Sequence, residues 1–110
     1  MPSVAVLGEF EAVVLMGVLH LEDLAYGSAI RDEIERRAGR PVSRGAVYIT
    51  LERLEEKGLL ASRMEEGPAV RGGRPRRLFR ATPAGIKALK RAVALVTRMH
   101  RGLEPILGDL

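Results

Sequence analysis

Cysteine is absent from this 110-residue chain, and so is tryptophan. Without cysteine there is no disulfide, thiolate zinc site, iron–sulfur cluster or cysteine nucleophile. The two histidines, His20 and His100, lie too far apart in sequence to form a local metal motif. Only Phe10, Tyr26, Tyr48 and Phe79 are aromatic, which is poor equipment for stacking on unpaired bases of RNA. No apolar run approaches the roughly 20 residues that a membrane-spanning helix needs, so no membrane partner is expected. The amino terminus lacks the basic start and cleavage pattern of a signal peptide, and a cytoplasmic location is the expectation. Catalytic signatures are missing as well. There is no G-x-S-x-G elbow and no phosphate loop, since Gly72-Gly73 is not followed by Lys-Ser or Lys-Thr. The neighbours Glu65 and Glu66 face opposite sides of a strand and cannot work as a pair. The expectation is a non-enzyme without cofactor or metal.

What is present is an uneven distribution of charge. The net value is +4, yet residues 1–66 hold eight basic and twelve acidic residues. Residues 67–103 hold ten basic residues and no acidic one. Such a segment builds a local positive field that suits a polyanion, or it is a solvated basic face.

Hydrophobic periodicity divides the chain. From about Gly8 to Leu21, Phe10, Val13, Val14, Leu15, Met16, Val18 and Leu19 surround a first helix, which must be buried on several sides. Ala29, Ile30, Ile34 and Ala38 mark a second helix from about Ser28, stopped by Gly39 and Pro41. Ser43 is an N-cap for a third helix, whose buried stripe is Val47, Leu51 and Leu54 and whose stop is Gly58. The period then changes. Residues 60–65 alternate, Arg71-Gly72-Gly73-Arg74-Pro75 turns the chain, and Arg77–Ala81 reads as a second strand. A two-stranded hairpin is marginal alone, so this one must lean on the helices. Alternation is expected to separate Arg77 from Arg76 and Phe79.

Thr82-Pro83 opens a last helix with a cap and a proline at its first position. Ile86, Leu89, Val93, Val96, Leu103 and Leu107 form one apolar seam, and Ala88, Ala92, Leu95 and Met99 a second row beside it. Continued to Leu107 this helix would reach roughly 37 Å, with Pro105 ending or kinking it near Leu103. It carries more apolar surface than one small domain hides, which implies a homodimer. The interface is expected to use Phe10 and Val14 of the first helix with Leu89, Val93, Val96, Met99 and Leu103 of the last.

The fold class expected is mainly α, with some β: a winged helix-turn-helix domain over residues 1–82 and a dimerisation helix over residues 83–110. In that geometry the third helix enters the major groove of DNA. Ser43, Arg44, Gly45, Tyr48, Ile49, Glu52 and Arg53 lie off its buried stripe. Arg44 can reach guanine with two hydrogen bonds or anchor a phosphate. Gly45 allows close backbone approach, and Tyr48 either touches a phosphate or packs at the helix edge. Arg53 is expected to pair with Glu52 or Glu56. The wing brings Arg71, Arg74, Arg76, Arg77 and Arg80, guanidinium groups suited to phosphates and narrow minor grooves. A protein–protein adaptor and an RNA-binding accessory protein are the rival readings. The acid-free wing counts against the first and the scarcity of aromatics against the second.

Several segments in order resemble the PadR family of bacterial transcriptional regulators. They are Leu7-Gly8-Glu9-Phe10-Glu11, Ala25-Tyr26-Gly27 with Ile30, the run from Ser43 to Leu60 containing Gly45-Ala46-Val47-Tyr48 and Lys57-Gly58-Leu59-Leu60, Gly72-Gly73-Arg74-Pro75-Arg76-Arg77, and Thr82-Pro83-x-Gly85. The resemblance implies a homodimeric winged-helix repressor of its own or a neighbouring operon, binding double-stranded DNA at a pseudo-palindromic operator. It carries DNA contact to Ser43, Gly45, Tyr48, Arg74 and Arg76, and places Tyr26 and Gly27 at a helix end near the DNA backbone. The chain departs from members that hold flat aromatic drugs between paired tryptophans, having no tryptophan. A small-molecule effector, where one exists, would enter an aliphatic interface instead.

Overall fold

The computed structural model describes residues 6–65 and 75–110. Helix α1 spans Glu9–Leu21, and a 3-10 turn follows at Glu22–Leu24. Helices α2 and α3 span Gly27–Ala38 and Arg44–Glu56. Strands β1 (Leu60–Met64) and β2 (Arg77–Ala81) pair antiparallel, and α4 (Pro83–His100) and α5 (Glu104–Leu107) complete the order. This is the mainly helical, two-stranded winged-helix architecture that the sequence led us to expect. Among the described residues no helix is long and apolar enough to cross a membrane. The tip of the wing, with Arg71, Gly72, Gly73 and Arg74, lies outside the described residues.

Local chemistry sets the helix ends. At the start of α1 the Gly8 amide donates to Glu11 Oε1 at 2.9 Å, the carboxylate half of a capping box. Helix α2 stops at Gly39, whose φ of 70° turns the chain left-handed while its N–H donates to Glu35 O. In the turn to α3, both backbone groups of Val42 are held by side chains of α2. Arg31 Nε donates to Val42 O at 3.0 Å, and Val42 N donates to Glu35 Oε2 at 2.8 Å. That clamp fixes the direction in which α3 leaves. Ser43 Oγ then accepts from Ala46 N at 3.2 Å as the N-cap. At the other end Leu59 N donates to Leu54 O and Gly58 N to Glu55 O, both at 2.9 Å, a paired Schellman closure with Gly58 at φ 75°.

The core is built by the apolar faces of the first three helices, closed by the sheet and the start of α4. Val14, Leu15, Ile30, Val47, Leu51 and Leu54 are fully buried, with Leu60, Phe79, Ala88 and Leu89 packed around them. The hairpin does lean on the helices. Phe79 N donates to Ala25 O at 2.8 Å and Tyr26 bridges to Leu78, so the residues before α2 act as a short third edge for β2. Helix α4 is fastened to the end of α3 by Thr82. Its Oγ1 donates to Gly58 O at 2.7 Å and accepts from Gly85 N at 3.0 Å. Gly85 rides directly on the chain at Leu59, where a Cβ would stand 2.1 Å from the Leu59 carbonyl oxygen.

Two expectations are corrected here. The last helix does not continue to Leu103 or beyond; it ends at His100. Gly102 takes φ 93°, a break that the apolar periodicity had masked, and Pro105 serves at the start of α5 instead of kinking α4. His100 Nε2 donates to Gly108 O at 2.6 Å and folds the carboxyl-terminal segment back. Val14 and Leu89, expected at a dimer interface, have 0% and 7% of their surface exposed and are spent on the protomer's own core. A side chain already enclosed has no area left for a second copy. Phe10 is half-buried, whereas Val93, Val96, Met99 and Leu103 stand 41–68% exposed along the far half of α4 and just beyond it.

Candidate nucleic-acid interface

The face of α3 opposite its Val47/Leu51/Leu54 stripe is open: Ser43, Arg44, Gly45, Tyr48, Ile49, Glu52 and Arg53 are all exposed. At Gly45 a Cβ would meet nothing nearer than Ser43 Oγ at 3.8 Å. Packing within the protomer therefore does not require glycine there. Tyr48 leans across to α2, and its ring occupies the space a side chain at Gly27 would need, with the hydroxyl 2.4 Å from that Cβ position. Gly27 is thus the seat of Tyr48. The Arg44 guanidinium lies over the Tyr48 ring at 5.6 Å, at the outer reach of a cation–π contact.

The base of the wing faces the same place. Arg76 stacks on the Tyr26 ring at 4.1 Å and holds Glu65 by two hydrogen bonds, Nη2 to Oε2 at 3.0 Å and Nε to Oε1 at 3.3 Å. Tyr26, Gly27, Ser28, Arg44, Tyr48, Pro75, Arg76, Arg77 and Phe79 together line a cleft of about 380 Å³ between α2, α3 and the wing. The structure thus gathers Tyr26, Gly27, Arg44, Tyr48, Arg76 and Arg77 around one concavity, with Ser43 and Gly45 at its α3 rim. Arg74 lies outside the described residues.

Arg77 differs from its neighbour. Its guanidinium pairs with Glu52 and Glu55 of α3, and its Nε donates to Ser62 Oγ at 2.9 Å. Ser62 in turn donates to Glu55 Oε2 at 2.7 Å. Hydrogen bonding to Glu52 raises the Arg77 pKa further, against burial, with the Glu55 and Glu52 charges adding to it. This network joins α3 to both strands and fixes the angle between α3 and the wing. Glu52 is therefore occupied by Arg77 and not by Arg53, whose charge instead supports the ionised Glu11. The expected separation of Arg77 from Phe79 is also corrected. Residues two apart share a strand face, and the Arg77 guanidinium lies 4.9 Å from the Phe79 ring centre.

The pairings of Glu52, Glu55 and Glu65 escaped the sequence reading. The Glu65 pairing follows from the strand register: Met64 stands opposite Arg77, so the next step outward sets Glu65 opposite Arg76. The carboxyl of Glu65 is held below the usual range by the hydrogen bond from Arg76, so it stays ionised. Among the described residues no group of three metal-ligating side chains converges.

Comparisons with known proteins bear on this geometry. A model of the transcriptional regulator PadR-like family matches residues 15–91. The chain is 43% identical over 105 residues to transcriptional regulator Rv3488 of Mycobacterium tuberculosis, covering 93% of this chain and 87% of that one. Among solved structures, a PadR-like transcription factor from Bacteroides fragilis superposes with a TM-score of 0.72 at 27% identity, covering 88% of each chain. A PadR family transcriptional regulator from Eggerthella lenta superposes with a TM-score of 0.69 at 28% identity, covering 93% of this chain and 88% of that one.

Proposed function

The chain belongs to the PadR-like family of transcriptional regulators, and we propose that it acts as a dimeric, sequence-specific DNA-binding repressor of its own or a neighbouring operon. The observation that carries this reading is the shared cleft, in which the exposed start of α3 and the arginine-bearing base of the wing face one way. The start of α3 enters the major groove. Arg44 reaches a base edge, Ser43 and Gly45 lie against the groove wall, and Tyr48 is held by Gly27 at the height of a phosphate. Arg76, with Arg74, engages the backbone beside the groove. Arg77 acts as a positioning residue, because its donors hold Glu52, Glu55 and Ser62.

The second copy is called for by α4. Beyond Leu89 the helix leaves Val93, Leu95, Val96 and Met99 about half or more exposed, an apolar stripe of the kind that marks an interface. On this reading residues 1–82 bind DNA and residues 83–110 dimerise. Two such protomers present their α3 helices about 34–36 Å apart, one turn of DNA, which selects a pseudo-palindromic operator. An apolar groove of about 530 Å³ lined by Leu95, Val96, Met99, Leu103, Leu107 and Leu110, with His100 and Asp109 as its polar members, is where an aliphatic effector would enter that interface.

The reading is tested with the DNA upstream of the protein's own gene, in a mobility-shift assay with excess nonspecific competitor followed by footprinting. A discrete shift that survives the competitor and protects an inverted repeat supports autoregulation. A shift that disappears under competitor removes that operator from the proposal.

A further inference from the structure

We propose that Glu65 is a brake on the wing: in the free protein it cancels the charge of Arg76 and so limits phosphate-driven binding to any duplex, an inference that rests on the DNA-binding reading above. The two residues close the described part of the hairpin. Past the last strand pair, Glu65 N donates to Arg76 O at 2.7 Å, which sets the two side chains opposite one another. The carboxylate takes the Nε and Nη2 donors of the guanidinium at 3.3 and 3.0 Å, while the Tyr26 ring covers a face at 4.1 Å. A phosphate approaching Arg76 therefore meets an occupied donor edge and a negative charge within hydrogen-bonding distance of it. Arg44 makes the contrast. It has no carboxylate partner among the described residues, and it presents its full charge at the rim of the same cleft.

The pair is also weak enough to exchange. Both side chains are about 40–50% exposed, where an ion pair contributes little and is screened by salt. Arg76 can thus trade Glu65 for a phosphate oxygen, and the two-pronged geometry suits either acceptor. The cost of the trade applies to every duplex alike. It lowers the sequence-independent part of the affinity while leaving the base contacts of α3 untouched.

The test is the salt dependence of binding to a random-sequence duplex and to the preferred site, compared for wild type, Glu65→Gln, Arg76→Gln and the double variant. Removing the carboxylate charge is expected to tighten binding to both duplexes about five- to tenfold near 0.1 M salt and to steepen the log–log salt slope by about 0.9 for each bound protomer, the value of one phosphate contact. In the Arg76→Gln background the same change is expected to give a clearly smaller gain, since only the bare repulsion between carboxylate and phosphate remains to be removed. Glu65→Ala removes the charge without supplying an amide and should reproduce the result if Glu65→Gln folds poorly. Unchanged affinity and slope would overturn the inference, as would a gain that persists undiminished without Arg76. Failure of the wild type to bind any duplex would overturn the DNA-binding reading itself, and the brake with it.

Discussion

Hydrogen bonds from Arg36 and Arg37 lower the Glu33 carboxyl from its ordinary 4.5 to about 2. A carboxyl depressed by folding stabilises the native state above its unfolded value, and that contribution is lost as pH falls through the folded one. Glu11 behaves in the same direction. Burial opposes its ionisation, but hydrogen bonds from Lys57 and the Gly8 amide, with the Lys57 and Arg53 charges, outweigh burial. Acid titration followed by circular dichroism should therefore show stability falling between pH 4.5 and about 2, with Glu33→Gln flattening that limb. An unchanged limb would mean that these arginines do not hold Glu33 in solution. Gly27 offers a second residue-scale test. The nearest atoms that alanine there would strike belong to the Tyr48 ring, which is 39% exposed and can swing outward. Gly27→Ala should change the melting temperature by no more than a few degrees, about 1 kcal/mol, yet weaken operator binding by displacing Tyr48. Equal affinity with a displaced tyrosine would remove Tyr48 from the interface.

At the scale of the element, the junction between α3, the sheet and α4 carries the architecture. Gly85→Ala in a free helix would be favourable by about 1 kcal/mol. Here the added methyl would strike the Leu59 carbonyl, a backbone group that cannot step aside. The substitution should instead cost about 2 kcal/mol or more, measurable by urea unfolding, and a stabilised variant would contradict this packing. Most of the elements were legible in the sequence, because their ends carry chemical marks: Ser43, Gly58 and the Thr82-Pro83 pair each stand where the structure caps or stops a helix. The end of α4 was not, since the apolar seam runs on through Leu103 and Leu107 and outweighs the single signal of Gly102. The roles of Arg76 and Arg77 were also illegible. Glu52 and Glu55 lie 25 and 22 residues before Arg77, and no local pattern foretells which arginine of a basic run will turn inward. The division of α1 and α4 between core and surface was misjudged for one reason. An all-round apolar helix does not say which of its residues the protomer itself will enclose, and Val14 and Leu89 proved to be among them.

At the scale of the whole molecule, the proposed dimer would set the distance between two α3 helices through its α4 contact. Val96 and Met99 are 55% and 68% exposed, so charging them leaves the core intact, whereas a charge at Leu89 would damage it. Val96→Glu with Met99→Glu should yield folded monomers by sedimentation and lose the preference for an inverted repeat over a single half-site. A dimer that persists would move the interface away from α4. The most direct test of the central claim is selection of duplexes from a random-sequence pool by the wild-type protein, with sequencing of what is retained under excess competitor DNA. A winged-helix dimer should enrich an inverted repeat whose half-sites are centred about 10–10.5 base pairs, one helical turn, or a multiple of it apart. A pool that remains unselected, though the protein retains DNA at low salt, would contradict sequence-specific recognition and leave only a nonspecific binder.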